Sequence, residues 1–126
     1  TLQQYINEYP HYGSYYYSPN KGFEVITEEG ELLDGYVNVY ENGSLFSKVS
    51  TGIKYKQYAI HFVDSYIGYV VGENSIMRST NGGLSWEWLR DQSGINTNKT
   101  FYAVYCNSGV LGFAAGEDGT LIKFRD

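Results

Sequence analysis

The feature that most restricts this chain is that it repeats itself. Tyr58-Ala59-Ile60-His61-Phe62 can be laid over Tyr102-Ala103-Val104-Tyr105-Cys106 at a spacing of 44 residues. At the same spacing Ile67-Gly68-Tyr69-Val70-Val71-Gly72-Glu73 falls on Leu111-Gly112-Phe113-Ala114-Ala115-Gly116-Glu117. One extra residue in the next turn then sets Ser75-Ile76-Met77-Arg78 against Thr120-Leu121-Ile122-Lys123. A period of this length means one small unit used more than once, each copy burying itself against its neighbour. A weaker third copy lies upstream, where Val37 to Phe46 resembles Phe113 to Ile122.

Each copy reads as short strands around tight turns. Asn42-Gly43 and Asp118-Gly119 are hairpin dipeptides, because a type I′ turn needs positive φ at both central residues. Glu28-Glu29-Gly30-Glu31-Leu32 has a similar shape and predicts a further hairpin. Period-two alternation places Tyr58, Ile60 and Phe62 on one face and Ala59 and His61 on the other. Ile67 to Val71 is a nearly continuous apolar run, as expected of a strand covered on both faces. Strands at Ile76 to Ser79 and Trp86 to Leu89 would complete the copy. Four short strands in about 40 residues is the spacing of a β-propeller blade. Residues 1–9 offer the one helical candidate, a short one through Leu2, Tyr5, Ile6 and Tyr9. The expected class is therefore all-β, with propeller-type four-stranded antiparallel blades in about three repeats. Residues 1–20 read as a Tyr-rich N-terminal segment, 21–56 as a diverged blade, 57–100 as the best copy and 101–126 as an incomplete blade lacking its fourth strand.

Between the third and fourth strands of the best copy sits Ser79-Thr80-Asn81-Gly82-Gly83-Leu84-Ser85-Trp86. This resembles the Asp-box, Ser-x-Asp-x-Gly-x-Thr-Trp, of sialidases, sortilin-like receptors and photosystem II assembly factors. Tyr66 to Gly72 looks like the strand that leads into such boxes in the last of these. The resemblance covers residues 57–90 best, 101–126 fairly and 1–50 poorly, and it departs from the family where Asn81 replaces the usual Asp. It implies that Ser79, Asn81, Gly83, Ser85 and Trp86 form a folding element. The Asn81 side chain would accept from backbone N–H two residues on, the glycines would supply positive φ, and Trp86 would pack on the hairpin. Such a box identifies architecture and does not locate an active site.

Three copies fill the chain, yet closed propellers need at least four blades. The last copy stops at Asp126, where a box and fourth strand would begin. An N-terminal stretch, Tyr12 to Ser18, could supply that strand. Alternatively several chains share one ring, or the chain is an arc of a larger protein. An uncovered strand edge invites pairing with another chain, so a homo-oligomer through an open blade edge is expected.

Charge excludes some functions. The formal charge of −5 argues against non-specific nucleic-acid binding. Residues 1–47 carry seven acids and one base, and the remainder seven acids and eight bases. No apolar run approaches the ~20 residues of a membrane helix. The single Cys106 excludes an internal disulfide framework and a Cys-based zinc site. Because Cys106 falls on Phe62 in the repeat, it reads as a buried hydrophobe. His11 and His61 have no second ligand at metal spacing, and His61 reads as a packing or surface residue. Glu28, Glu29, Glu31 and Asp34 only loosely approach a Ca²⁺ loop and read as a solvated acidic turn.

The sialidase resemblance implies an arginine triad, for which Arg78, Arg90 and Arg125 are present, but Arg78 and Arg125 fall at nearby repeat positions, which reads as blade surface, and the Phe/Tyr-Arg-Ile-Pro motif is absent. No carboxylate pair, nucleophile elbow or phosphate-cradling loop stands out. No catalytic residue, cofactor or metal is assigned. Asn42-Gly43-Ser44 and Asn98-Lys99-Thr100 match the glycosylation pattern.

What remains is a binding surface. Six tyrosines occur in the first 17 residues, and Tyr9, His11, Tyr12, Tyr15, Tyr16 and Tyr17 read either as a protein- or glycan-binding face or as an edge strand packed on the first blade. The expected function is a non-enzymatic interaction module, with a diverged propeller glycosidase and a self-assembling structural unit as alternatives. A start at Thr1 reads as a processed product, and with the family resemblance it points to an exported bacterial protein, either secreted, periplasmic or in the cell envelope.

Overall fold

The structure, a computed structural model, describes residues 11–28, 34–52, 55–89, 99–107 and 111–125. Their strands form three antiparallel sheets in chain order. The first holds β1 (His11–Ser18), β2 (Lys21–Glu28), β3 (Asp34–Glu41) and β4 (Ser44–Ser50). The second holds β5 (Gln57–Phe62), β6 (Gly68–Gly72), β7 (Ser75–Ser79) and β8 (Glu87–Trp88). The third holds β9 (Phe101–Asn107), β10 (Leu111–Gly116) and β11 (Leu121–Arg125). Each strand pairs with its neighbour in sequence, so every sheet is a meander.

Turn chemistry explains the hairpins. Asn42 and Gly43 take φ of 54° and 83°, and Asp118 and Gly119 take 57° and 69°. Positive φ at both centres is the type I′ requirement. The β6–β7 turn, also of two residues, uses Asn74 at φ 50°.

The strongest repeat has a shared cause. Gly72 and Gly116 sit at bulges opposite the starts of β5 and β9. A Cβ on either would lie 2.2 Å from the Lys56 carbonyl or 1.9 Å from the Thr100 carbonyl, so only glycine fits. The next residue clasps the same strand twice. The Glu73 N–H donates to the Lys56 carbonyl (2.8 Å), and its carboxylate accepts from the Lys56 N–H (3.2 Å). Glu117 makes the same pair of bonds with Thr100, at 2.9 Å each. The Gly-Glu dipeptide recurs because it ties the first strand of a sheet to the second.

The sheets stack in order. β5 packs against β1 and β2, and β9 packs against β5 and β6. One core cluster joins Phe23, Val25, Val37 and Val39 of the first sheet to Ile60, Phe62, Val70 and Met77 of the second. The other joins Tyr69, Val71 and Ile76 to Leu89, Phe101, Cys106 and Ala114. Alternate residues of β6 feed opposite clusters, and all five of its residues are buried.

Three sequence expectations need correction. Tyr12 to Ser18 falls within β1, which pairs with β2, so this stretch is the edge of the first sheet and not the missing strand of the third. Tyr58 does not share a face with Ile60 and Phe62. A bulge between Gln57 and Ala59 breaks the period-two count, and the Tyr58 ring meets Tyr102 of the third sheet, with centroids 5.1 Å apart. The upstream hairpin β3–β4 resembles β10–β11 in sequence but occupies the third and fourth places of its sheet, where β10–β11 occupies the second and third. Their likeness reflects the shared turn dipeptide. The strands that match in place are β2 and β3, which flank the Glu28-to-Asp34 connection and pair Glu28 with Asp34. The helix considered for residues 1–9 lies outside the described residues.

Candidate binding surface

The loop between β7 and β8 is closed by side chains. The Ser79 hydroxyl accepts from the Gly83 N–H (2.9 Å) and the Asn81 N–H (3.4 Å), and itself donates to Asn81 Oδ1 (2.9 Å). Asn81 Oδ1 also accepts from the Ser85 N–H (3.0 Å), while Asn81 Nδ2 donates to Ser85 Oγ (2.8 Å). Asn81 therefore closes on the residue four places on. The N–H two places on, expected to be its partner, is taken by Ser79. Gly82 and Gly83 take φ of 76° and 89°, a region that favours glycine.

That loop locks onto the fold at two points. The Gly82 N–H donates to the Tyr66 carbonyl (2.9 Å) on the β5–β6 connection. A Cβ on Gly83 would stand 3.2 Å from Phe23 and 3.5 Å from Phe62. Trp86 is half-buried, meets Phe62 edge-on at 5.9 Å, and donates from Nε1 to the Gly83 carbonyl (3.2 Å). It anchors the loop through that hydrogen bond and its packing against the first core cluster, and, being half-buried, it contributes less than a fully enclosed ring would.

Polar groups link the second and third sheets. The Cys106 N–H donates to His61 Nδ1 (3.3 Å), so Nδ1 carries a lone pair and the ring proton resides on Nε2. The Cys106 thiol, buried, lies 3.0 Å from Nδ1 and 3.7 Å from the His61 carbonyl. Burial pushes the imidazole below its ordinary pKa of 6.5. Tyr105 packs its ring on the same imidazole, with centroids 4.9 Å apart.

The remaining candidates are dispersed. His11, Tyr12, Tyr15, Tyr16 and Tyr17 lie on β1, with Tyr15 opposite Phe23 and Tyr16 opposite Gly22, while Tyr9 lies outside the described residues. Gly13 lets β1 approach β5 closely, since a Cβ there would sit 2.6 Å from the Tyr58 carbonyl. Arg78 is tied to Glu87 at 2.7 Å across β7 and β8. Arg125 ends β11, and Arg90 lies outside the described residues. Glu28 and Asp34 close the β2–β3 ladder, with Glu29 and Glu31 outside the described residues. Among the described residues, no group of three or more His, Cys, Asp or Glu gathers as a metal-binding set. No helix among them is long and apolar enough to cross a membrane.

Two features escaped the sequence reading. Glu24 is fully buried and its Oε1 accepts from Tyr40 (3.0 Å) and Asn38 (3.2 Å). Its signal is the cross-strand placement of an acid opposite Asn38, which needs a register to be seen. Exposed Tyr102 and its partner Tyr58 form an aromatic pair beside β1, and their equal spacing in the repeat was the available clue. No known protein-family model and no curated protein matches the chain.

Proposed function

We propose that the chain is a non-enzymatic interaction module built of propeller-type blades bearing one Asp-box-like loop, and that it recognises a protein or glycan. The observation that carries this reading is the convergence of tyrosine-bearing first strands. β1 runs against β5 and β5 against β9, so a strand with four tyrosines lies beside the Tyr58–Tyr102 ring pair. Tyr102 is 56% exposed. Tyrosine presents a rigid apolar face and a polar tip at little entropic cost, which suits a sugar ring or an extended peptide. The stacking order and the Ser79–Trp86 loop support the blade reading, and a blade protein of the Asp-box type fits an exported setting.

A panel of neutral and acidic oligosaccharides, followed by saturation-transfer NMR, tests this. Binding should fall at least about tenfold, near 1.4 kcal/mol, in the Tyr58→Ala, Tyr102→Ala double variant. Binding that survives with unchanged affinity would remove the strip from consideration. Turnover of a fluorogenic glycoside, abolished by a single carboxylate substitution, would favour the glycosidase alternative.

A further inference from the structure

The dipeptide Asn-Gly occurs twice in the chain, at Asn42-Gly43 and Asn81-Gly82, and the fold holds the two in opposite ways. An asparagine side chain and the next main-chain nitrogen can close a five-membered ring, and glycine in that next place puts no Cβ in the way. Both asparagines are exposed, so access to water does not separate them. At Asn81 both reacting groups are engaged. Oδ1 accepts from the Ser79 hydroxyl (2.9 Å) and the Ser85 N–H (3.0 Å), and Nδ2 donates to Ser85 Oγ (2.8 Å). The Gly82 N–H, whose nitrogen would attack, donates to the Tyr66 carbonyl (2.9 Å). Gly82 is itself buried, and a Cβ on it would stand 3.2 Å from the Ser65 carbonyl.

Asn42 lacks all of this. Its main-chain N–H donates to the Asn20 carbonyl (2.8 Å), which leaves Cγ and the next nitrogen untouched. Among the described residues no hydrogen bond holds its side-chain amide. Gly43 is exposed, and a Cβ there would meet nothing within 4 Å. Ring closure requires Asn42 to leave its turn conformation, φ 54°, and nothing around Gly43 opposes that swing. We infer that Asn42 is a site of spontaneous deamidation and isomerisation, and that the Ser79–Ser85 loop shields Asn81 from the same reaction.

The chemistry needs only water. The Gly43 nitrogen gives up its proton and attacks Cγ of Asn42, the C–N bond of the side-chain amide breaks, and ammonia leaves with that proton. Water then adds across either C–N bond of the succinimide. One opening gives aspartate, and the other gives isoaspartate, whose main chain runs through the former side chain. The second product adds a methylene to a two-residue turn between β3 and β4, where type I′ geometry leaves no room for one. Either product takes the formal charge from −5 to −6. The new carboxylate arises next to Glu41, which pairs with Lys21 at 3.7 Å. The loop shields Asn81 by keeping its Cγ and the Gly82 nitrogen from the attack geometry that such a step requires.

Warming the full chain, made in a bacterial host, at mildly alkaline pH and mapping its peptides by mass spectrometry over time tests the inference. In the native protein, conversion at Asn42 should outrun conversion at Asn81 at least about tenfold, a barrier difference of about 1.4 kcal/mol. In concentrated guanidinium, where the loop is gone, the two rates should converge. Asn42→Gly keeps a type I′ dipeptide and should abolish the acidic form seen on ion exchange. Ser85→Ala, at an exposed position, should keep the melting transition and speed conversion at Asn81 alone. Equal native rates, or an Asn42 that stays intact while the denatured chain converts, would overturn the inference. A native difference that persists in guanidinium, or an Asn81 indifferent to Ser85→Ala, would overturn the shielding by the loop.

Discussion

The two seams of the molecule are built from the same repeat and yet differ in kind. Between the first and second sheets Phe23 and Phe62 stack at 3.9 Å with an interplanar angle of 11°, and the Gly83 turn seals them from one end. Phe62 also lies flat on its strand partner Gly68, whose missing side chain makes the space, since a Cβ there would meet the ring at 2.6 Å. Between the second and third sheets the corresponding pair is Cys106 opposite Gly112. There the smaller side chain leaves room for the His61 ring, and hydrogen bonds take over part of the work of apolar contact. The difference teaches that a repeat preserves where a side chain points while leaving free what it packs against.

The largest test of that contrast is size. Phe62→Ala should cost about 3–5 kcal/mol, by lost transfer energy and the cavity left behind. Cys106→Ala, removing one atom and one weak hydrogen bond, should cost about 1–2 kcal/mol. Denaturant unfolding of both variants measures the gap, and costs within about 1 kcal/mol of each other would erase the distinction drawn here.

A pH series separates the seams by chemistry. His61 has a lowered folded pKa, so the unfolded chain binds the extra proton first. Stability from this group is complete above the unfolded value of 6.5 and declines as pH falls from there toward the lower folded value. Protonation would also place a proton on Nδ1, where the Cys106 N–H already points. His61→Gln should flatten that part of the profile, and an unchanged slope would show that the imidazole is not its source.

The smallest effect is expected at the loop. Asn81→Asp should be neutral within about 0.5 kcal/mol. Oδ1 keeps its two donors, and the Ser85 hydroxyl can turn to donate to the new oxygen. Thermal unfolding checks it, and a loss of several degrees would mean that the amide nitrogen is needed where it stands.

Much of the architecture was legible in advance because its causes are local. Asn42-Gly43 and Asp118-Gly119 turn the chain by their own backbone preferences, and the apolar run at Ile67 to Val71 announces a strand covered on both faces. The candidate surface was read less well. The Tyr-rich stretch pointed to β1, but its neighbours Tyr58 and Tyr102 were hidden by a bulge that reversed the expected face of Tyr58. Likewise Cys106 was read correctly as buried, whereas its contact with His61, 45 positions away, had no local signature.

Residue order by itself determined the strand period, the turn positions and the recurrence of a small sheet, since each depends on a few consecutive residues. Tertiary structure decided which faces were covered, which tyrosines met and which seam became polar. Those outcomes depend on close packing between residues far apart in the chain, where a one-residue bulge or a single missing Cβ is enough to change the partner.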